Sequence, residues 1–469
     1  MANKTSQSEY IIKSAIFTAD RLPGLDGKPV DISKSIAELN IFESVELPYL
    51  TGTCALVDDV RFRDSVGIKG SERLTITIAP REDSKPIIKT FMITGIASNI
   101  SVNERTDLHT LTLIEEHAYL SSIMKISESH TAIPEEIIIN ILNSHLGKKI
   151  DFISSVAKQQ KMKVNIPYWN PLKATDWLRD RMSSSLGAPY FLYACLRDDL
   201  LRLEDLDNMM TKDAWNKKEP YSYSQTSHNS VPDNVGREGY PSKKRTEAFH
   251  VKSYQASQIE STLRLAQNGA IGSEFKTMDL TSSSQTSNTH HNSNSTLNKF
   301  IESIESTSDI KSSVGYDWEL MFAKNGRPLQ NVGDLSSKVF SEVVTSRKFY
   351  DTDGVTPIAG YADEHKQEAL YKLKIKSAAL RSILLNNVFE ISVPGQPYIV
   401  GDLDIGVGSN IALNYAAASQ ADGSIKAGDV DTNKSGKFLV YRTRHSFSEG
   451  NYNVKMDIVK LTNKTGNTK

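Results

Sequence analysis

The sequence has few cysteines, no long apolar run and no apolar leader. Cys54 and Cys195 are the only cysteines among 469 residues, too few for a disulfide framework or a thiolate metal site. Both lie in apolar, strand-like runs, which is typical of small buried side chains. No stretch approaches the ~18 uncharged apolar residues of a membrane-spanning helix, and the N-terminal segment lacks the apolar core of a signal peptide. We therefore expect no membrane span and folding in a reducing cytoplasm.

The sequence also lacks an excess of charge of either sign. Lys and Arg total 55 and Asp and Glu total 56, for a net charge of -1, which argues against a dedicated nucleic-acid-binding protein. Hydrophobic residues at 39% and charged residues at 24% are ordinary for a globular protein. This composition excludes a collagen-like chain, a coiled-coil rod and a wholly disordered chain. At about 150 residues per domain, the length predicts about three domains.

Motifs of enzyme chemistry are missing as well. The sequence contains no P-loop, no nucleophile elbow, no zinc-binding His-Glu-x-x-His helix and no paired-cysteine site. The one adjacent histidine pair, His290-His291, lies in a Ser-, Thr- and Asn-rich segment without a nearby third ligand. We predict no catalytic residue, no cofactor and no metal, and that the protein is not an enzyme.

Two acidic segments have some features of functional sites but are predicted to be turns. The run from Asp429 begins like a calcium-binding loop, but Lys434 replaces the required glycine and Val440 the terminal glutamate. Asp402 and Asp404 could form a hydrolytic carboxylate pair, but spacing in sequence does not set the distance between carboxylates. Both segments are typical of surface turns.

Short segments of period-two alternation predict strands in the first quarter of the chain and again near the end. Residues 8–118 contain about six such runs separated by turn signals, which favours a small antiparallel barrel or sandwich. Residues 246–282 and 386–462 repeat the pattern, including a long strand, a polar turn and a second long strand. This internal echo raises the possibility of a duplicated β unit whose second copy is split by an insertion.

A different pattern separates the two β regions. Residues 119–212 predict two helices, one from Pro134 to Gly147 and one capped by Asn170 and closed by Gly187, followed by an apolar β-hairpin. Residues 213–245 predict a polar surface connection, and 280–296 a mobile loop. An amphipathic helix is expected over about 363–385.

In the order of its elements and in two local motifs, the chain resembles the central baseplate hub proteins of contractile-tailed, T-even-like bacteriophages. Residues 164–210 carry the strongest likeness, an Ile-Pro lead, a Trp, a helix, an aromatic strand and an Asp…Met-Met ending. A second likeness joins the segment at 365–382, a strand ending in Pro-Gly and a long strand that contains a histidine. The residues that match the family pattern are structural ones: Ile166, Pro167, Trp169, Pro171, Phe191, Asp207, Met209, Met210, Gly395 and His445.

The resemblance implies an α+β, β-dominated fold with two tail-tube-like antiparallel β-barrel domains. The expected domains are a first barrel at 1–118, an α+β domain at 119–212, a polar connection at 213–245, a split second barrel at 246–282 with 386–469, and an insertion at 283–385 that holds the mobile loop and the helix. The resemblance also implies a homotrimeric ring that adapts a six-fold tail tube to a three-fold central spike. The ring would lie in the tail baseplate of the virion, after assembly in the bacterial cytoplasm. Its partners would be the spike trimer, the tail tube or its initiator proteins and the baseplate wedge proteins, with viral DNA only in transit through the channel.

Two other functions remain open from the sequence. One is the hub of a phage-derived contractile injection device, which shares the same class. The other is a carbohydrate-binding or cell-wall-hydrolysing tail protein, whose only support is the tyrosine-rich segment around residues 221–240.

Overall fold

A computed structural model gives the fold of the chain. It describes residues 10–19, 29–59, 61–63, 68–79, 86–103, 106–153, 161–184, 187–223, 249–258, 262–270, 273–279, 285–291, 338–344, 349–350, 354–355, 357–358, 367–395, 406–416 and 434–460. Within these ranges the fold is α+β with β-strands dominant, as predicted. The acidic turns at 401–405 and 429–433 lie outside the described residues.

Twenty-three strands and six α-helices, all within the described residues, form the fold. The strands are β1 (Ile11–Thr18), β2 (Val30–Asp31), β3 (Ile36–Ser44), β4 (Thr51–Asp58), β5 (Arg73–Ala79), β6 (Ile87–Ser101), β7 (Asp107–Glu115), β8 (Ile126–Ala132), β9 (Ile150–Ile153), β10 (Met162–Trp169), β11 (Tyr190–Ala194), β12 (Leu201–Asp205), β13 (Tyr221–Tyr223), β14 (Ser253–Gln258), β15 (Ser273–Asp279), β16 (Gln285–His291), β17 (Lys338–Val344), β18 (Phe349–Tyr350), β19 (Pro357–Ile358), β20 (Val388–Pro394), β21 (Asn410–Tyr415), β22 (Gly436–Ser448) and β23 (Asn451–Val459). The helices are α1 (Glu116–Ile123), α2 (Pro134–Leu146), α3 (Pro171–Arg179), α4 (Leu206–Thr211), α5 (Thr262–Gln267) and α6 (Gln367–Leu384).

Thirteen of the strands form one continuous sheet that contains two units with the same strand order. In the first unit the spatial order is β3-β4-β7-β6-β5-β1, and in the second it is β14-β20-β23-β22-β21-β13. Each strand of one unit therefore has a counterpart in the other, in the same chain order and at the same place in the sheet. All five pairings are antiparallel in the first unit. In the second unit only the β13–β21 pair differs, because it is parallel.

The hydrogen-bond registers of the two units also coincide through the first bulge of the long hairpin. The ladder between β5 and β6 ends on the pair Arg73–Met92, and the ladder between β21 and β22 ends on the pair Asn410–Leu439. One residue after each pair, the register with the second strand of the hairpin shifts by a β-bulge. A bulge makes a strand bend and is a designed feature of a sheet. We therefore treat Met92 and Leu439 as equivalent. Strand β6 has a second bulge, between Ile96 and Ser98, that β22 lacks. Beyond it, equivalent positions are those that pair with equivalent residues of β7 and β23, which makes Ile100 equivalent to Ser446.

The α+β unit between the two β units follows the predicted local signals, with one correction. Helix α2 begins at Pro134 and ends before Gly147, whose φ of 63° lies in the left-handed region. Helix α3 follows the cap Asn170 but ends at Arg179, so the prediction that Gly187 closes it is wrong. Residues 180–182 make isolated turns instead, in which Arg181 and Met182 donate to carbonyls three residues earlier.

Three strand assignments differ from those expected. Strand β13 pairs with β21, although it falls in the segment interpreted as a polar connection. Strand β15 pairs with β16 and β17 in a separate sheet, outside the second β unit to which it was assigned. The expectation of a loop over 280–296 is wrong for Gln285–His291, which form β16. Alternation predicts that a segment is extended but does not identify its partner, and backbone ladders impose little demand on side chains.

Buried apolar side chains form two clusters. The larger one runs through the first β unit, the α+β unit and part of the second β unit. The smaller one joins helix α6 and strand β11 to one end of β22. Within the described ranges no helix combines the length and apolar character needed to cross a bilayer.

Candidate functional site

Within the described ranges, the two β units pair with each other along one ladder. The second half of β22, from Arg442 to Ser448, leaves β21 and pairs antiparallel with β3 from Ser44 to Glu38. Seven consecutive residues pair without a register shift. Beyond the ladder, the backbone amide of Val45 donates to the carbonyl of Tyr441 at 3.1 Å. The end of a strand from one unit thus serves as an edge partner for the other.

A buried polar cluster lies inside this junction. The Glu43 carboxylate Oε2 is 3.3 Å from Nε2 of His445, and both side chains are fully or almost fully buried. Nδ1 of His445 hydrogen-bonds the Tyr452 hydroxyl at 2.7 Å. The other carboxylate oxygen, Oε1, accepts from the backbone amide of Leu196 in the turn after β11. The cluster therefore ties together β3, β22, β23 and the α+β unit.

The electrostatics of the cluster favour an ionised Glu43. Burial alone raises the pKa of this carboxyl, but the charge of His445 and the backbone amide of Leu196 outweigh it, so the pKa lies below its ordinary value of 4.5. Burial also raises the pKa of the neighbouring Cys195 thiol to about 12. Cys54 and Cys195 are both buried and free, as predicted. A thiol with so high a pKa is a poor nucleophile at neutral pH.

Gly395 and His445, two of the family-pattern residues, come together at Tyr452. The amide of Gly395 donates to the carbonyl of Tyr452 at 2.9 Å. A Cβ at position 395 would lie 1.9 Å from Cδ1 of the Tyr452 ring, closer than any real contact. The ring also stacks on Phe447, with centroids 4.7 Å apart. Position 395 must therefore be glycine so that Tyr452 can reach His445.

Charged side chains cover the outer face of the junction around a groove of about 490 Å³. Arg442 lies 3.9 Å from Asp457, and Lys455 lies 3.2 Å from Glu390, so charges of opposite sign pair across neighbouring strands. The charges on this face include both signs: Glu46, Glu390, Arg442, Arg444, Lys455 and Asp457. An alternation of paired charges suits a solvated surface or a polar partner better than an acid–base site.

Three other family-pattern residues fasten the α+β unit to the second β unit. Phe191 is buried in the smaller apolar cluster, with its ring centroid 6.4 Å from that of Tyr441. Met209 and Met210 are buried in the same cluster. Nδ2 of Asn410, on β21, donates to the Met209 carbonyl at 2.7 Å. The Asp…Met-Met ending therefore docks helix α4 on the first residue of strand β21 in the second unit.

The remaining family-pattern residues lie within the α+β unit, away from the junction. Ile166 is buried and Pro167 exposed on β10. Trp169 packs edge-on against Trp177, with centroids 5.8 Å apart. Pro171 occupies the first turn of α3, and Asp207 the first turn of α4. Of the ten residues, the structure thus places two at the junction between the β units, three between the α+β unit and the second β unit, and five within the α+β unit.

Sequence reasoning missed Glu43, although a signal for it exists. Along β3, Glu43 falls on the buried phase of the alternation that contains Leu39, Ile41 and Val45. An acidic residue in phase with buried apolar residues indicates either a paired charge or a site. Among the described residues, no group of three or more His, Cys, Asp or Glu could hold a metal ion.

Comparisons with known proteins gave structural likenesses only. No protein-family model matches the chain, and no curated protein matches its sequence. A tail protein from Neisseria meningitidis is 10% identical with a TM-score of 0.47, covering 96% of this chain and 97% of that one. The 43 kDa tail protein of prophage MuSo2 from Shewanella oneidensis is 11% identical with a TM-score of 0.46, covering 96% and 98%. A type VI secretion system component from E. coli is 8% identical with a TM-score of 0.39, covering 91% and 74%. These likenesses assign the chain to no family.

Proposed function

We propose that this chain is a structural hub of a contractile phage tail baseplate. In this proposal three chains form a hollow ring that joins a six-fold tail tube to a three-fold central spike. The ring contributes part of the channel for DNA passage and carries out no catalysis.

The single observation that carries the proposal is the repetition of six strands in the same spatial order, with the same register through the first bulge of the long hairpin. A three-fold ring of chains with one β unit each would offer three equivalent surfaces to six tube subunits. Two units of the same order in each chain give a trimer six such surfaces. Backbone ladders can repeat without sequence repetition, because their hydrogen bonds involve no side chain.

The resemblance in residues 164–210 adds the partners. On the tube side these would be tail-tube or tube-initiator proteins, and on the opposite side the spike trimer, with baseplate wedge proteins around the rim. The α+β unit, which is not duplicated, is assigned to the three-fold side or the periphery. The location that follows is the virion tail baseplate.

The test is the mass and symmetry of the purified full-length protein. Light scattering should give three times the chain mass, and electron-microscopy projections along the ring axis should show six similar lobes with three-fold detail. A stable monomer or dimer across micromolar concentrations would contradict the proposal. So would a trimer in which the two β units lie at different radii, since six tube subunits could not then find equivalent partners.

A further inference from the structure

Among the strand edges that have no partner within the described residues, two are counterparts of the strands that form the junction. Strand β6 pairs with β5 only as far as Met92, so its second half, Thr94–Ser101, has β7 on one side and no described strand on the other. Strand β14 is the last strand of the sheet and pairs only with β20. Each edge offers a row of backbone donors and acceptors.

The junction within the chain shows what such edges do. The half of β22 that pairs with β3 is the counterpart of the unpartnered half of β6, because both follow the same bulge after the equivalent residues Met92 and Leu439. Likewise β3 is the counterpart of β14. Within one chain, β22 of the second unit pairs with β3 of the first unit. Their counterparts, β6 of the first unit and β14 of the second, do not pair with each other within the chain.

The composition of both edges favours pairing. Natural sheets protect exposed edges with Lys, Pro, inward-pointing charges or β-bulges. Both edges contain a bulge, between Ile96 and Ser98 in β6 and between Ala256 and Gln258 in β14, so the pairing proposed below uses the residues of β6 beyond its bulge. The β6 segment Thr94–Ser101 and the β14 segment Ser253–Gln258 contain no charged residue and no proline. Next to the turn, Ile100 is 56% exposed and Val102 62% exposed, large values for aliphatic side chains at the end of a long strand. Their counterparts in the paired half of β22, Ser446 and Ser448, are only half-buried serines.

We propose that the second half of β6 pairs antiparallel with β14 of another copy of this chain, in the register of the β22–β3 ladder. Transferring that register through the equivalent positions places four residue pairs opposite one another: Asn99 with Ala256, Ile100 with Gln255, Ser101 with Tyr254 and Val102 with Ser253. The interface is head-to-tail, so it closes into a ring when the rotation allows and otherwise extends into a filament. Closure at three chains rests on the proposed function, whereas the pairing does not.

Disulfide trapping tests the register directly in the full-length protein. The double variant Ile100→Cys with Gln255→Cys should give covalent dimers and trimers on mild oxidation, in good yield and lost on reduction. The matched variant Ser101→Cys with Gln255→Cys shifts one cysteine to the opposite face and should give little cross-linking. Asn40→Cys with Ser446→Cys, the equivalent pair inside one chain, should form an intramolecular bridge and serves as the positive control. The native cysteines are both buried and should not interfere.

If the cysteine variants fold poorly, a lysine variant and its matched control test the same strand pairing. Ile100→Lys with Val102→Lys should raise the concentration for half-assembly by about tenfold or more, because lysine blocks edge pairing. Ile88→Lys changes a residue of similar exposure, 60%, in the half of β6 that is already paired, and should leave assembly unchanged.

The outcomes separate this inference from the proposed hub. A trimer by light scattering without cross-linking at Ile100 and Gln255 would overturn the strand pairing and leave the hub intact. Cross-linking that continues beyond three chains would support the pairing and overturn the three-fold ring. Equal cross-linking in the shifted variant would overturn the register.

Discussion

The two β units share their ladders but not their side chains. At one equivalent position, the first unit has Asp58, whose carboxylate accepts from the amides of Phe62 and Arg63 and lies 3.3 Å from His109. The second unit has Gly395 there, overlaid by the Tyr452 ring. One backbone frame therefore supports a capped carboxylate in one copy and a buried aromatic in the other. The two units therefore share their strand order and the register of equivalent strands up to the first bulge, whereas the side chains that fill their interiors differ.

The units also differ in what interrupts them. In the first unit, β3 and β4 are joined by a short connection, whereas 129 residues separate their counterparts β14 and β20, including α5, β15–β19 and α6. Loop-closure cost grows only slowly with length, so a long insertion between paired strands is tolerated. Helix α6 returns the chain to the second unit by packing Leu380 and Leu384 in the smaller apolar cluster.

The largest expected effect comes from adding one methyl group to the second unit. Gly395→Ala would place its Cβ 1.9 Å from the Tyr452 ring, which must move and break its contact with His445. We expect a loss of more than about 3 kcal/mol in the free energy of unfolding, measured by urea denaturation. In the first unit, a Cβ at Gly95 meets nothing within 4 Å, so Gly95→Ala should change stability by no more than ~0.5 kcal/mol. Equal losses would show that the packing at Tyr452 is not the cause.

The next effect concerns the buried charge at the junction. Glu43→Gln keeps the shape but removes the charge that faces His445, and should cost about 2 kcal/mol at pH 7. The pKa of Glu43 in the folded protein is below its ordinary value, so its contribution is present above pH ~4.5 and is lost as pH falls through the folded pKa. The stability difference between the wild type and the variant should therefore shrink on acidification from pH 7 to pH 3. A difference that stays constant over this range would exclude ionisation of Glu43 as its source.

The local elements could be predicted from the sequence, but the way they connect could not. Alternation and caps located α2, the hairpin of β11 and β12 and the long β22–β23 hairpin, because these depend on neighbouring residues. The pairings of β13 with β21, of β15 with β17 and of β22 with β3 join residues far apart in the chain, and period-two patterns do not encode the partner. For the same reason His445 was singled out by its resemblance, whereas Glu43, its partner on another strand, was not.

A smaller effect distinguishes the two units at the equivalent positions Asn410 and Arg73. Asn410 is buried, and its Nδ2 donates to the carbonyls of Met209 and Lys212 at 2.7 and 2.8 Å. Asn410→Ala leaves both carbonyls without this donor and should cost roughly 1–2 kcal/mol. Hydrogen exchange should show the loss in α4, which is docked through these bonds. Protection lost evenly over the whole chain would contradict a local role.

The smallest effect is expected at the counterpart, Arg73. Its guanidinium lies 2.6 Å from the Glu116 carboxylate, but both side chains are largely exposed, at 48% and 37%. An exposed ion pair gains little in water because solvent and salt screen it and both side chains lose rotamer freedom. Arg73→Gln should therefore change stability by no more than about 0.5 kcal/mol at low salt and by less at 1 M salt. A cost equal to that of Asn410→Ala, unchanged by salt, would show that the first unit also depends on a side chain at the end of this ladder, and the contrast drawn between the two interiors would fail at that position.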